Sequence, residues 1–570
     1  MMNSEPIKIA LKGSDGLFVT VASGTSLLTS TSNICGNNEI FEMIYQQDMV
    51  FALLASNGKY VSVKLNDNNF LAAISGAVGS TETFEMFNWH EDDRIVLFAA
   101  NKSYVQLAKP GSTLQASSAD LTQADVFEIV PLDRNGQPLP AEQQENVTVQ
   151  PVTETTQTVA LAAGTPSVFT VCFSGTACTR DEGEVSRPGS DKNIYCPSTG
   201  YIPVRIHKEI SGSLRAVTPS ISVRGVGEND WAEPRNNSEP LVFNGPLNAE
   251  KSLLNYVKSY SGGNQYSVIT QVDGWSAPAL ALHGANLAAA SGAQKFNFIG
   301  HSRGAVECIM AAWFIYAYGS DQLKKIPINI FAIDPVPGTG QWYSMLTQLP
   351  PNVVNYVGVY AWDMCIQPQD KPYMALVPRP NGLMTGKDNT VKLHQSLLWW
   401  DRWKYIADNA QLTDPLVKGN LPQPTGYQLY TIRGRHSTVS GNYTADADYV
   451  ASNVSEFVAT VPELVYKMAR GYLTQWGTVF PRASEVSEDV VPLRQGINTN
   501  HRDFDLMGGG ETRTSSLPGR PYVRRISSIY GINPTNSYYM DNVVGNPPYD
   551  MAYPVTNERT DAGWVKWTFL

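Results

Sequence analysis

Apolar and polar positions change their period as the chain proceeds. Up to about residue 133, short apolar stretches are separated by Gly, Asn, Asp and Ser turns, as in Gly16-Leu17-Phe18-Val19-Thr20-Val21, Gly58-Lys59-Tyr60-Val61-Ser62-Val63 and Lys102-Ser103-Tyr104-Val105-Gln106-Leu107. Phe41-Glu42, Phe84-Glu85 and Phe127-Glu128 follow them at a constant spacing of 43 residues. Each repeat predicts four short strands. Three such units, none able to bury its apolar face alone, close most simply into an all-β threefold trefoil over 1–133.

From 134 to 165 the chain turns to Pro, Gln, Glu, Thr and Val without a period, which predicts a linker. Buried runs and amphipathic stretches then alternate, the order of a mostly parallel sheet with helices on both faces. Val168–Phe173, Ser220–Arg224, Lys295–Gly300, Ile328–Ile333, Val354–Trp362 and Tyr427–Arg433 read as strands, and Ala249–Tyr260 and Pro278–Ala290 as helices. This predicted α/β domain spans 166–470. Between its last two strands lies a long apolar insertion, about 364–426, with Met374, Leu376, Val377, Leu397, Leu398, Trp399, Trp400 and Trp403. A segment of that length and character beside a sheet edge suits a lid or acyl-chain pocket, and core packing explains it equally well. Residues 471–570 are rich in Gly, Pro, Asn and Tyr and read as an irregular C-terminal extension.

Charge and composition narrow the function classes. A net charge of −10 opposes a nucleic-acid partner, which needs a basic face. Six cysteines in 570 residues make no disulfide framework, and no Cys-x-x-Cys pair suggests a metal, so no cofactor is expected. No run of apolar residues is long enough to span a membrane, and Met1-Met2-Asn3-Ser4-Glu5-Pro6 lacks the parts of a signal peptide. The expectation is a protein that stays in the cytoplasm or is secreted without a cleaved signal.

The candidate chemistry centres on Gly300-His301-Ser302-Arg303-Gly304, between a strand and the helical run Val306–Phe314. A serine between two glycines at such a junction is a nucleophile elbow: the turn leaves no room for side chains at Gly300 and Gly304 and lifts the Ser302 hydroxyl off the sheet edge. The plainer alternative is a serine that only caps the helix. A nucleophilic serine needs a base, and the base an acid. Of the histidines after Ser302, His394 sits in an apolar segment and His501 in the irregular tail, whereas His436 follows the last strand in Gly434-Arg435-His436-Ser437. Two strand-end aspartates, Asp334 and Asp363, compete for the acid; Pro335, Pro337 and Gly338 favour Asp334 by fixing its turn. The oxyanion donors expected are the amide of Arg303 and one from the Ser174-Gly175-Thr176 turn, at Gly175 or Thr176.

Two resemblances add to this reading. The repeats of 1–133 resemble fascin-like trefoils, which implies a glycan or protein ligand for that domain. Phe173-Ser174-Gly175-Thr176, Gly225-Val226-Gly227, Gly300-His301-Ser302-Arg303-Gly304-Ala305, Asp334-Pro335-Val336 and Gly434-Arg435-His436-Ser437 together resemble the blocks of bacterial α/β-hydrolases that include phospholipase effectors of type VI secretion systems. Ser174 stands where that family has Asp, and Glu228 where it has Thr. The resemblance implies an α/β-hydrolase fold and Ser302, Asp334 and His436 as triad. It also implies a lipid or other ester substrate at a membrane surface, with a secretion-system component and an immunity protein as partners. Two function classes are therefore expected: a serine esterase, lipase or phospholipase acting as a secreted toxin, or a binding protein whose trefoil carries the function while the hydrolase fold is inactive or secondary.

Overall fold

A computed structural model of the 570-residue chain describes residues 7–47, 50–88, 94–108, 113–119, 123–132, 146–147, 166–185, 194–232, 238–258, 266–267, 270–271, 274–338, 343–362, 374–385, 391–393, 403–404, 416, 424–443, 459–481, 490–504, 525–527, 538–540, 558–559 and 567–569. They fall into two compact units, 1–148 with 390–410 and 149–389 with 411–570.

The first unit has three repeats of four strands: Ile7–Gly13, Phe18–Val21, Leu28–Ser32 and Phe41–Gln47; Val50–Ala55, Tyr60–Lys64, Phe70–Ser75 and Phe84–Asn88; Arg94–Ala99, Ser103–Leu107, Leu114–Ser118 and Val126–Pro131. The first and fourth strands of each repeat pair around a closed ring of six antiparallel strands, Ile7–Gly13 meeting Val126–Pro131 to complete it. The second and third strands form three hairpins, joined by the bridges Leu27–Ala72, Thr29–Thr113 and Gln115–Phe70. A six-stranded barrel with three hairpins is a β-trefoil. Its period shows in the core, where Phe41, Phe84 and Phe127 are buried. An acid two positions before each phenylalanine accepts a backbone N–H: Glu39 from Gly36, Glu82 from Gly79, and Asp125 from Leu107.

The second unit is built on an eight-stranded sheet. Its strands, in chain order, are β1 (Val168–Phe173), β2 (Ser220–Val223), β3 (Lys295–His301), β4 (Ile328–Ile333), β5 (Val353–Ala361), β6 (Tyr427–Ile432), β7 (Glu558–Arg559) and β8 (Trp567–Phe569). They lie in the order 2-1-3-4-5-6-8-7, parallel throughout except at the β8–β7 edge. Strands covered on both faces carry continuous apolar runs, as in Ile328-Asn329-Ile330-Phe331-Ala332-Ile333, where every residue is buried.

The longer helices among the described residues are α1 (Ile202–Ser211), α2 (Lys251–Lys258), α3 (Ala277–Ala290), α4 (Arg303–Tyr318), α5 (Thr460–Gln475) and α6 (Val491–Phe504). Gly284 of α3 lies so near the sheet that a Cβ there would be 2.5 Å from the Phe173 ring and 3.2 Å from Val171. On the opposite face Cys172, Ile299, Phe331, Ile333, Val357 and Val359 share one core with Ile202, Ile206 and Ile210 of α1 and Val461, Leu464 and Val465 of α5. That face also holds an amide ladder, buried at Asn297 and Asn329 and half-buried at Asn355. Asn355 donates to Asn329 at 2.7 Å, Asn329 to Asn297 at 2.7 Å, and Asn297 to the Thr478 hydroxyl at 2.8 Å. These asparagines are register partners across β3, β4 and β5, so the ladder satisfies buried amides and penalises strand slippage.

Three sequence expectations need correction. The insertion at 364–426, expected as lid or core within the predicted α/β domain, divides between the two units: Val391–Leu393 pairs with Trp403–Lys404 on one side and Asn146–Val147 on the other in the first unit, whereas Ala375–Leu376 pairs with Arg525–Ser527 in the second. Met374, Ala375, Leu376 and Val377 are buried there as core, which accounts for the apolar character of that part. Trp399 and Trp400 lie outside the described residues. The boundary at 470 falls inside α5. The extension 471–570 is not wholly irregular, since it supplies α6 and the edge strands β7 and β8, which are too short for any period to show. The linker expected at 134–165 lies outside the described residues apart from 146–147.

Helix α1, to which the sequence pattern assigned nothing, carries the fully buried His207. The Leu214 carbonyl, 3.2 Å from Nε2, requires the proton on that nitrogen, so Nδ1 accepts from the Ser220 hydroxyl at 2.8 Å. Burial pushes this imidazole down from 6.5 to about 4. A histidine depressed in the folded state stabilises fully above its unfolded pKa, and that contribution is lost as pH falls towards the folded value. Wild-type stability should therefore drop by roughly 1.4 kcal/mol per pH unit from this group between about 6.5 and about 4. Urea unfolding at about pH 7 and about pH 5 should show a shallower pH dependence in His207→Gln than in wild type. Parallel curves would contradict this assignment.

Candidate active site

The parallel register sets the ends of β1, β3 and β4 level, with Phe173 opposite Gly300, and Gly300 opposite Ala332. The order 2-1-3 means that connections leave β1 and β3 in opposite directions, which opens a crevice at the carboxyl ends of those strands. Ser302, Asp334 and His436 follow β3, β4 and β6 at this edge.

Ser302 has φ 58° and ψ −126°, a conformation that an L-residue adopts only under constraint. Its N–H donates to the Ile333 carbonyl at 3.0 Å, and its own carbonyl accepts from Ala305 at 3.1 Å and Val336 at 3.3 Å. The flanking glycines are sterically required. A Cβ on Gly300 would lie 2.2 Å from the Gly304 carbonyl oxygen, and one on Gly304 would lie 2.4 Å from that of Phe173.

His436 bridges the other two side chains. Its Nδ1 is 2.6 Å from Asp334 Oδ2 and its Nε2 is 2.8 Å from Ser302 Oγ. An ionised carboxylate only accepts, so the Nδ1 proton points at Asp334 and Nε2 is left to accept from the serine hydroxyl. The second carboxylate oxygen of Asp334 accepts the Ala361 N–H at 3.1 Å, and the Asp334 N–H donates to Val359 at 2.8 Å. Both bonds tie the acid to β5. Asp334 is 0% exposed, His436 5% and Ser302 6%, so the elbow sits within a covered site rather than on an open turn.

The structure thus brings Ser302, His436 and Asp334 into one hydrogen-bonded line. Asp363 and His394 lie outside the described residues, and His501 falls in α6. The Ser174–Thr176 turn is also at this edge, with one correction to the expected oxyanion donors. The Gly175 N–H is engaged, donating to the Tyr201 hydroxyl at 2.7 Å. The Thr176 amide has no hydrogen bond among the described residues, and Arg303 supplies the first amide of α4.

Sequence reasoning assigned Arg303 only an amide, yet its guanidinium joins three separate segments. Nε donates to the Pro337 carbonyl at 3.2 Å, and Nη1 donates to Thr176 Oγ1 at 2.7 Å and to the Gln271 carbonyl at 2.5 Å. Gly338, at φ 88°, leaves the space: a Cβ there would be 2.2 Å from Nη2. No local signal marks this role, because the partners lie 127, 34 and 32 residues away. Tyr201 and His301 went unassigned for the same reason.

Compared with models of protein families, the chain matches none, and no curated protein matches it by sequence. Among solved structures it is similar to the designed 3-fold symmetric protein ThreeFoil, at 15% identity and TM-score 0.20, over 22% of this chain and 99% of that one. SeviL bound to asialo-GM1 saccharide is similar at 13% identity and TM-score 0.19, over 22% and 98%. The Macrolepiota procera ricin B-like lectin in complex with lactose is similar at 14% identity and TM-score 0.18, over 23% and 98%. At these scores the likeness decides nothing by itself, and the trefoil rests on its strand pairing.

Proposed function

We propose that the second unit is an α/β-hydrolase and a serine ester hydrolase, with a lipase- or phospholipase-type substrate. The observation that carries this reading is the unbroken line from Ser302 Oγ through His436 to Asp334, at 2.8 and 2.6 Å, on a strained strand-to-helix turn. In the proposed reaction Ser302 Oγ attacks the acyl carbon and passes its proton to His436 Nε2. Asp334 stabilises the imidazolium and holds its tautomer. The Arg303 and Thr176 amides stabilise the tetrahedral oxyanion. His436 then protonates the leaving alcohol, and water activated by the same imidazole releases the acid. An acyl group at a membrane surface fits the resemblance to secreted phospholipase effectors, and with it an immunity protein as partner.

The test is ester and lipid hydrolysis followed by mass spectrometry. Ser302→Ala should abolish turnover, and Asp334→Asn should lower it by about 10⁴-fold, with Asp363→Asn close to wild type. An active Ser302→Ala enzyme would refute the reading, and the opposite ranking of the aspartates would move the acid to Asp363.

A second reading, favoured by the closed threefold arrangement of the first unit, is glycan or protein binding through a fascin-like trefoil, with the hydrolase fold inactive or secondary. Two of the similar structures are described as bound to lactose and to asialo-GM1 saccharide. In combination with the first reading, the trefoil holds the enzyme near its target and raises the effective substrate concentration. Deleting 1–133 should then abolish binding to a glycan array while leaving turnover of a small soluble ester nearly unchanged. Loss of soluble-ester turnover in a truncated, folded protein would contradict that division of labour.

A further inference from the structure

His301, between Gly300 and the proposed nucleophile, is outside the proton path yet touches both walls of the site. Its Nε2 is 3.0 Å from the His436 backbone carbonyl, and its Nδ1 is 2.9 Å from the Tyr201 hydroxyl. Its ring lies against that of His436, centroids 4.7 Å apart and planes 35° apart, and meets the Tyr201 ring edge-on at 5.7 Å. The Tyr201 oxygen in turn accepts the Gly175 N–H.

With His301 neutral, the direction of this chain follows from its two ends. A backbone N–H only donates and a backbone carbonyl only accepts. Gly175 therefore donates to Tyr201, the phenol donates to His301 Nδ1, and His301 Nε2–H donates to the His436 carbonyl. In that arrangement His301 is the Nε2–H tautomer, and Cys178 is a further side-chain neighbour of the Tyr201 hydroxyl. Tyr201 is 0% exposed and His301 4%, so water does not readily substitute for a missing member. Burial also pushes the phenol well above its usual range, which keeps its proton available. Packing enforces the same contact: a Cβ on Gly175 would lie 2.8 Å from His301 Nδ1 and 3.0 Å from the Tyr201 hydroxyl.

We propose that Tyr201 and His301 are positioning residues for the hydrolysis, fixing the His436 backbone relative to the Ser174–Thr176 turn so that base and oxyanion donors move as one body. The inference rests on the serine-hydrolase reading. Its second consequence is that Gly175 orients the turn through its amide and leaves oxyanion binding to Thr176 and Arg303. Small displacements of a base from its nucleophile are costly, about 10²-fold in rate for ~1 Å. They act on the chemical step rather than on substrate binding.

The experiment measures kcat and KM of the full chain on a p-nitrophenyl acyl ester for wild type, Ser302→Ala, His301→Leu, His301→Gln and Tyr201→Phe, with circular dichroism to verify folding. His301→Leu should lose about 10²-fold in kcat with KM changed less than about twofold. His301→Gln retains an N–H that reaches the His436 carbonyl and should recover most of that loss, and Tyr201→Phe should fall between the two. If the leucine variant does not fold, the glutamine and phenylalanine variants decide alone. Turnover that depends on Ser302 but is unchanged in Tyr201→Phe or His301→Leu would overturn this inference only. Equal loss in the leucine and glutamine variants would do the same, by reducing His301 to a packing role. Turnover that survives Ser302→Ala would overturn the hydrolase reading and this inference with it.

Discussion

The site depends on one backbone conformation, that of Ser302 at φ 58° and ψ −126°. A residue held there costs on the order of 1–3 kcal/mol, and it persists only where its surroundings leave no alternative. Here the sheet supplies that constraint: the Ser302 N–H is fixed to β4, and its carbonyl is shared between the first turn of α4 and Val336. Gly300 and Gly304 remove the side chains that would collide with this arrangement. The strain places Oγ at the strand end, where His436 Nε2 is 2.8 Å away. A relaxed strand-to-helix connection would carry the hydroxyl elsewhere.

What surrounds the elbow is polar, buried and connected. Arg303 ties the Thr176, Gln271 and Pro337 segments together, the Tyr201–His301 pair ties the Gly175 turn to His436, and Asp334 is bonded to both β5 and His436. Deeper in the sheet, Asn297, Asn329 and Asn355 hold the register that levels the strand ends. Buried networks of this kind are destabilising when incomplete and rigid when satisfied. Rigidity is what preorganised electrostatic stabilisation needs, because donors already in place do not reorganise when charge develops.

The parts of this arrangement that could be read from sequence were local ones. Gly300-x-Ser302-x-Gly304 between a strand and a helix, Asp334 before two prolines, and His436 after the last strand each carry their signal within a few residues. The trefoil was legible through repetition, since Phe41, Phe84 and Phe127 recur at one spacing although any single repeat is weak. Tyr201, the Arg303 guanidinium and the asparagine ladder were not legible: their roles come from partners tens to hundreds of residues away, and no local pattern marks those roles. The partner of the Gly175 amide is hidden for the same reason, because the phenol that takes it arrives from α1's N-terminus. The tail was read as irregular because β7 and β8 have two and three residues, below the length at which alternation can show. The apolar insertion reads equally as lid or as core, because hydrophobicity alone does not say which core a segment joins.

The central claim is that His436 and Asp334 make Ser302 a nucleophile. The most direct measurement is reaction of the native chain with a fluorophosphonate, followed by intact-mass and peptide mapping. The account predicts one covalent adduct per chain, on Ser302, formed rapidly in wild type and lost in His436→Ala, whose serine lacks its base. An adduct on another residue, or labelling of Ser302 at equal rates with and without His436, would contradict it.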